Sequence, residues 1–402
     1  MLFATIIEAS YIKIWVIFGT RVMLGIGAGF MQSTAPSLIT DVAHPRYRAA
    51  VTSLYQTGWY WGAVLSGVMT IGMLSVNGEW SFRWPFLLQA LFPTIQLIAL
   101  CIIPESPRWL VAKGRQEQAL ALLADYHGNG DKNNPLVQRE LQDMVANISR
   151  EAAMKDHAGW KAFFKTRGNL HRFAICVFSG IISEWVGNCV ITFYLAPVLI
   201  SIGVDNPRAQ ASVNLGLQLW NAATSACGAL LSTRFGRRTL WMSSISVMFF
   251  FFSLITCFSG LFIERHLISA GVAVLPMLFL FYAGYNLACS TISVAYALDI
   301  LPFYLRSKGV SLFFTVDAAA ASLSQYINPI AFNALSWKFY FVYLGCLFSF
   351  LWVVYFLFPE TKDCLREEIA VIFDGPKAAA DSDMILLRNN SVQTETDEEK
   401  GL

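Results

Sequence analysis

Apolar residues in this chain come in long unbroken runs, not in the alternation of half-buried strands or the narrow stripe of surface helices. Nine runs reach bilayer length, near 15–38, 50–75, 85–103, 172–201, 209–231, 240–262, 268–298, 309–331 and 339–358. About 20 apolar residues cross the hydrocarbon core as a helix, and a helix satisfies its backbone amides internally, so the pattern predicts an all-α polytopic membrane protein. A tenth run at 1–10 is too short to cross alone and lacks the basic start and small-residue cleavage site of a signal peptide. The segment between 104 and 172 reads differently. There 117–126 and 136–149 show helical spacing around the Gly128-Asn129-Gly130 turn, so short surface helices are expected.

Composition reinforces the pattern. The chain is 55% apolar and 14% charged, with 31 Phe, where a soluble domain carries about 25% charged residues. A net charge of +2 offers no footprint for nucleic acid. Lys and Arg gather in alternate connections: Arg46 and Arg48, then eleven basic residues from 104 to 172, then Arg234, Arg237 and Arg238, then Arg306 and Lys308. The intervening connections carry one each, namely Lys13, Arg83, Arg208, Arg265 and Lys338. Basic loops stay inside, so 104–171 is expected to be a cytosolic helical linker. Residues 359–402 are expected to be a cytosolic tail, acidic through Asp381, Asp383, Glu395, Asp397, Glu398 and Glu399 and largely disordered. Both ends of the chain then lie in the cytosol.

Candidate chemistry is sparse. Cys101, Cys176, Cys189, Cys227, Cys257, Cys289 and Cys346 stand singly in or beside apolar runs and Cys364 in a polar stretch, which suits thiols filling helix interfaces and implies neither disulfide nor metal site. No phosphate loop and no Gly-x-Ser-x-Gly turn occurs, and the five histidines fall in loops or span ends, so no enzyme and no cofactor is expected. Gly25, Gly27 and Gly29 lie inside an apolar run with no strand before them, and are read as a place for a neighbouring helix to approach closely.

One repeat organises the whole. Asp41 and Arg48 stand seven apart at a span end, and so do Asp299 and Arg306, each 258 residues later. Seven residues is about two turns, so each acid and base meet if the helix continues. Matched helical halves are how many secondary transporters are built. The same offset applied to Arg234-Phe235-Gly236-Arg237-Arg238 points to about twenty residues before Met1, so two spans and part of a third are expected to precede this chain. Residues 1–103 then form an incomplete N-terminal bundle and 172–358 a six-helix C-terminal bundle.

Motifs carry a resemblance. Pro104-Glu105-Ser106-Pro107-Arg108-Trp109-Leu110, Pro359-Glu360-Thr361-Lys362, the Arg234–Arg238 loop, Asn328-Pro329-Ile330-Ala331 with Trp337-Lys338-Phe339-Tyr340, and Trp185, Gly187, Asn188 and Tyr194-Leu195 together resemble the sugar porter family of the major facilitator superfamily. The likeness is greatest to its fungal lactose-permease-like and hexose-transporter members. Departures from the family pattern are Thr233 for an Asp, Asp41 and Asp299 for Glu, Asp363-Cys364 for Gly-Arg, and Phe193-Tyr194 for Tyr-Tyr.

The resemblance implies a major facilitator fold, here lacking its first two spans and part of the third. It also implies a monomeric plasma-membrane carrier in the lipid bilayer that moves a mono- or disaccharide by alternating access with proton symport. Its competitors are a sugar sensor that binds without transport and an inactive truncated transporter. Gln56, Asn188 and Asn221 match the family's sugar-binding amides. Glu184 stands where relatives carry Gln, Asp317 is an acid where amides are usual, and Tyr194 and Trp220 are aromatic candidates. Amides suit hydroxyls because each offers donor and acceptor; without the resemblance, a lone Asn or Gln in a span serves equally as helix–helix glue. Glu184 and Asp317 are open to substrate binding, to proton carriage, or to a place as buried neutral acids. Asp41, Arg48, Arg108, Arg234, Arg238, Asp299, Arg306 and Glu360 resemble the network that closes the cytoplasmic side. Arg21 matches a fourth-span arginine coupled to the proton through an acid of the first span, so it is expected to lack its acidic partner here.

Overall fold

Helices occupy nearly all of the described chain, as runs of 20 apolar residues require when their amides have no water to meet. The computed structural model describes residues 1–402 apart from 12, 45–47, 77, 79, 154–158, 189–198, 200–205, 303–304, 363–368, 370 and 376–402 and, within helices, apart from the side chains at 33, 40, 48–50, 52, 53, 56, 82, 147, 150–153 and 233. In chain order the helices are α1 (Leu2–Ser10), α2 (Ile14–Val42), α3 (Arg48–Met73), α4 (Trp80–Gln89), α5 (Leu91–Leu100), α6 (Pro107–Ala112), α7 (Gln116–His127), α8 (Pro135–Ala153), α9 (Arg167–Trp185), α10 (Pro207–Arg234), α11 (Arg237–Arg265), α12 (Ile268–Ala288), α13 (Ser293–Ile300), α14 (Arg306–Leu335) and α15 (Tyr340–Leu357). Single 3-10 turns stand at Trp160–Phe164 and Ser336–Phe339. No strand occurs among the described residues.

Two expected spans are interrupted. The run at 85–103 is α4 and α5, separated at Ala90; Pro93 in the first turn of α5 has no amide to return to Gln89. The run at 268–298 is α12 and α13, separated by a turn in which the Thr291 hydroxyl donates to the carbonyls of Asn286 (3.3 Å) and Leu287 (3.1 Å), displacing helical amides from them. The helix expected to carry each acid to its base also stops. Asp41 lies one residue from the end of α2 and Arg48 begins α3, while Asp299 lies one from the end of α13 and Arg306 begins α14.

The chain divides into two compact units, Met1–Leu141 with Leu195–Ala226, and Gln142–Tyr194 with Cys227–Leu402. In the first, α1 packs on α2 and α4. A Cβ at Gly67 of α3 would stand 3.1 Å from Leu215 of α10, and Arg208 of α10 donates to the Ser75 hydroxyl at 2.8 Å, so these helices run antiparallel. Of the three glycines read as close-approach positions, one meets a described neighbour. Met1 covers Gly27, and nothing described comes within 4 Å of a Cβ at Gly25 or Gly29. The short helices of 104–153 form as the spacing predicts. Ser106 caps α6 by accepting from the Trp109 amide at 3.4 Å, with Pro107 in the first turn. His127 at the end of α7 sits between the Glu140 carboxylate (2.6 Å) and the Val42 carbonyl (3.0 Å), fastening these helices to the end of α2.

In the second unit α9 lies on α14, and α11 packs on α12 and α15. Trp241, Phe252, Phe281, Tyr296, Tyr340 and Phe358 fill its core. Outward faces remain apolar in both units, as at Phe3 (81% exposed), Trp15 (82%) and Phe356 (69%), which is what a lipid solvent asks of a surface. Among the described residues, four stretches are long and apolar enough to cross a membrane on those grounds alone: Ile14–Ile39, Arg237–Arg265, Ile268–Ile300 and Arg306–Leu357. The six described and unpaired cysteines divide between buried Cys176 and Cys289, half-buried Cys346, and Cys101, Cys227 and Cys257 on outer faces. The interface reading thus holds for only part of them.

Candidate functional site

The amide candidates of the first unit lie on its antiparallel pair. Gln56 is in α3, its side chain outside the described set, and Asn221 is in α10 with 3% exposure. Taking the Gly67–Leu215 and Ser75–Arg208 contacts as register, Gln56 and Asn221 stand about 8 Å apart along the shared axis at 1.5 Å per residue. Trp220 beside Asn221 is 38% exposed.

The second unit gathers the acids. Helix α9 stops at Trp185 because Gly187 takes φ +102°, a conformation strained for any residue with a side chain, and because a Cβ there would stand 2.8 Å from the Phe252 ring. Glu184 lies in the last turn before this break and half-buried Asn188 just beyond it. Neighbouring helices secure the broken end. The Tyr285 hydroxyl donates to the Ser183 carbonyl (3.1 Å), Tyr282 to the Asn188 carbonyl (3.2 Å), and Trp185 Nε1 to the Ala320 carbonyl of α14 (3.0 Å). A Cβ at Gly180 would lie 3.1 Å from the Asp317 amide, which puts Asp317 about one turn from the level of Glu184 on a parallel helix. Two carboxyls, an amide and three aromatic rings thus surround one helix end, a set able to accept from hydroxyls and to stack on an apolar ring face. Tyr282 and Tyr285 were not among the sequence candidates, although their i, i+3 spacing marks one helix face. Tyr194 lies outside the described residues.

Arg21 corrects an expectation. It does have an acidic partner: its Nε donates to Glu8 Oε1 at 2.8 Å, from a side chain 56% exposed to one fully buried. The acid comes from α1, the run too short to cross alone, where no carboxylate was sought.

The ionic candidates form one cluster in each unit. In the first, Asp41 accepts from the Ser106 hydroxyl (2.7 Å) and pairs with Arg108 Nε (3.2 Å). Arg48 begins α3, its side chain outside the described set. In the second, Asp299 pairs with Arg237 at 3.5 Å, and Arg306 Nε donates to the Leu301 carbonyl (3.3 Å). Glu360 acts as a cap. Its carboxylate accepts from the amides of Arg237 (2.7 Å), Arg238 (3.2 Å), Thr361 (3.0 Å) and Lys362 (3.1 Å). Helix α11 starts from Gly236, which has no side chain to cap it, so Glu360 supplies the anion its N-terminus attracts. A Cβ at Gly236 would fall on that carboxylate. Arg238 donates to the Tyr355 carbonyl (2.5 Å), and exposed Arg234 offers its own carbonyl to Lys362 Nζ (2.6 Å). Buried Arg172, which sequence reasoning passed over, donates to Asp374 through both terminal nitrogens (3.1 and 2.7 Å) and to the Ile300 carbonyl (3.0 Å), tying the segment after Thr361 to α9.

A family model described as sugar (and other) transporter matches residues 1–373. The chain is 27% identical to the MFS-type transporter oryC of Aspergillus oryzae, covering 100% of this chain and 75% of that protein. It is 24% identical to the high-affinity glucose transporter of Kluyveromyces lactis, covering 87% and 66%. Among solved structures it resembles the proton:xylose symporter XylE of E. coli, bound to 6-bromo-6-deoxy-D-glucose, with TM-score 0.71, 21% identity, and 89% and 74% of the two chains covered. That likeness establishes the major facilitator fold. With all-helical architecture, lipid-compatible outer faces and a match along nearly its whole length, this chain belongs to the sugar (and other) transporter family, whose members are integral membrane carriers and not enzymes.

Proposed function

We propose that the chain is a secondary active transporter that moves a monosaccharide of the hexose or pentose type, or a disaccharide, by alternating access with proton symport. The family match over residues 1–373 carries the reading, and relatives named as glucose transporters and a proton:xylose symporter support the substrate class. Gln56 and Asn221 in the first unit and Glu184, Asn188, Asp317 and Tyr194 in the second bind the sugar, with Tyr282 and Tyr285 holding the end of α9. Arg21 takes part in proton coupling. Asp41, Arg48, Arg108, Arg234, Arg238, Asp299, Arg306 and Glu360 form the cytoplasmic gate. Exposed pairs such as Arg237–Asp299 contribute about 0 to 1 kcal/mol each, weak enough for a gate that opens in every cycle. Residues 1–103 and 172–358 are the bundles that move, 104–171 and 359–402 face the cytosol, and the protein works as a monomer in the plasma membrane.

Uptake of labelled D-glucose and D-xylose by a yeast host lacking its own hexose carriers tests the reading. Uptake that rises with an inward proton gradient and falls at least tenfold, or about 1.4 kcal/mol, in Asn221→Ala is expected. Correctly inserted protein that carries no sugar rejects the function, and undiminished uptake by Gln56→Ala and Asn221→Ala rejects the site.

A further inference from the structure

The 3-10 turn at Trp160–Phe164 folds back on the first turns of α9. Phe163 is fully buried with its ring 5.7 Å from that of Phe173, and buried Asn169 donates through Nδ2 to the Ala162 carbonyl at 3.0 Å. Thr166 caps α9 by accepting from the Asn169 amide at 3.2 Å. The turn is thus fixed to the helix it precedes. With Ala162 and Phe163 turned in, the outward side carries Trp160 (52% exposed), Phe164 (63%) and Leu170 (48%), together with exposed Lys161, Lys165 and Arg167.

These three cations are unmatched within the described chain. From Trp160 to Ser183 the sequence holds no Asp or Glu. Asp374, which lies against Gly168, is held by Arg172 through both terminal nitrogens. Among the described residues, the side chains of Lys161, Lys165 and Arg167 enter no hydrogen bond or ion pair. Helix α15 fixes the height of this face. His171 Nε2 donates to the Leu357 carbonyl at 2.8 Å, and Leu357 ends the stretch Arg306–Leu357 that is long and apolar enough to cross a membrane. Tyr355 and Phe356 just before it are exposed. The start of α9 therefore stands where hydrocarbon gives way to headgroups, the level at which Trp side chains gather and basic residues meet anionic lipid.

We infer that Lys161, Lys165 and Arg167, with Trp160, Phe164 and Leu170, form a docking surface for an anionic phospholipid of the cytosolic leaflet. The cations take the phosphate and any further acidic group of the headgroup, while the rings and Leu170 lie along the glycerol and upper acyl chains. Phosphatidylcholine also has a phosphate, but its choline cancels the charge, so the surface prefers a headgroup with net negative charge. The choice of leaflet rests on the orientation proposed above; the choice of lipid does not.

The full chain in nanodiscs of mixed phosphatidylcholine and phosphatidylserine tests this. Native mass spectrometry of the released protein is expected to show phosphatidylserine retained in preference to phosphatidylcholine. Lys161→Ala/Lys165→Ala/Arg167→Ala is expected to lower that preference at least about tenfold. Lys113→Ala/Lys132→Ala/Arg139→Ala removes the same charge from exposed positions elsewhere and is expected to keep it. An unchanged Tm shows that a variant is folded; if the first one is not, Lys165→Gln and Arg167→Gln taken singly are expected to lower the preference in smaller steps. Equal retention of the two lipids by wild type, a preference that survives loss of Lys161, Lys165 and Arg167, or an equal fall in the second variant overturns the assignment. Nanodiscs expose both leaflets, so labelling of Asn133→Cys by an impermeant maleimide in intact cells would move the surface to the other leaflet and leave the lipid result standing.

Discussion

Glu360 and Gly236 illustrate how one side chain can serve a distant backbone. The carboxylate accepts four amides, two of them at the start of α11, and loss of a helix cap costs about 0.5 to 2 kcal/mol. Glu360→Ala is expected to lower the Tm of the detergent-solubilised chain accordingly. Gly236→Ala is expected to do the same through a different cause, since its methyl displaces the carboxylate; combined, the two changes should cost less than their sum. The carboxylates also rank by burial. Asp374 faces an Arg172 guanidinium whose side chain is 3% exposed, whereas Asp41 faces Arg108 at 39%. Asp374→Asn should therefore lower the Tm by several degrees and Asp41→Asn by little, because only the first leaves a buried cation underpaired. Differential scanning fluorimetry separates the two. Neither Glu8–Arg21 nor Arg172–Asp374 was legible in the sequence. Acid and base stand 13 and 202 residues apart, and only helix packing brings them together.

At the scale of elements, the apolar runs specified the helices well because length and hydropathy alone decide a membrane span. Misreadings fall where local chemistry competes: Pro93 divides one span at Ala90, the Thr291 hydroxyl divides another, and Gly187 stops α9. The last matters most for the site. Gly187→Ala forces a side chain into positive φ against Phe252, a strain of about 1 to 3 kcal/mol. Its expected outcome is a lower Tm together with a raised KM for labelled glucose, since Asn188 follows directly on the break. Unchanged KM with lowered Tm would make the break purely structural.

At the scale of the whole molecule, the basic loops that set the proposed orientation are the ones whose helices are built as surface structures. Ser106 caps α6 and His127 fastens α7 and α8 to α2. If 104–171 faces the cytosol, a cysteine at exposed Asn133, in a background without Cys101, Cys227 and Cys257, reacts with an impermeant maleimide only after the cells are permeabilised. Labelling of intact cells would invert the topology. The 258-residue repeat was legible because matched halves repeat their charges, yet two further partners were not. The repeat predicted Asp41 with Arg48 and Asp299 with Arg306; the structure adds Arg108 and Arg237 as partners of the two acids, supplied by the P-E-S-P-R and R-F-G-R-R motifs, while the Arg48 side chain lies outside the described set.

The cap on α11 also has a dimension in time. Glu360 lies 123 residues after the amide it serves at Arg237, so during synthesis the start of α11 has only water for its amides, and it gains its cap when the rest of the second unit has been translated.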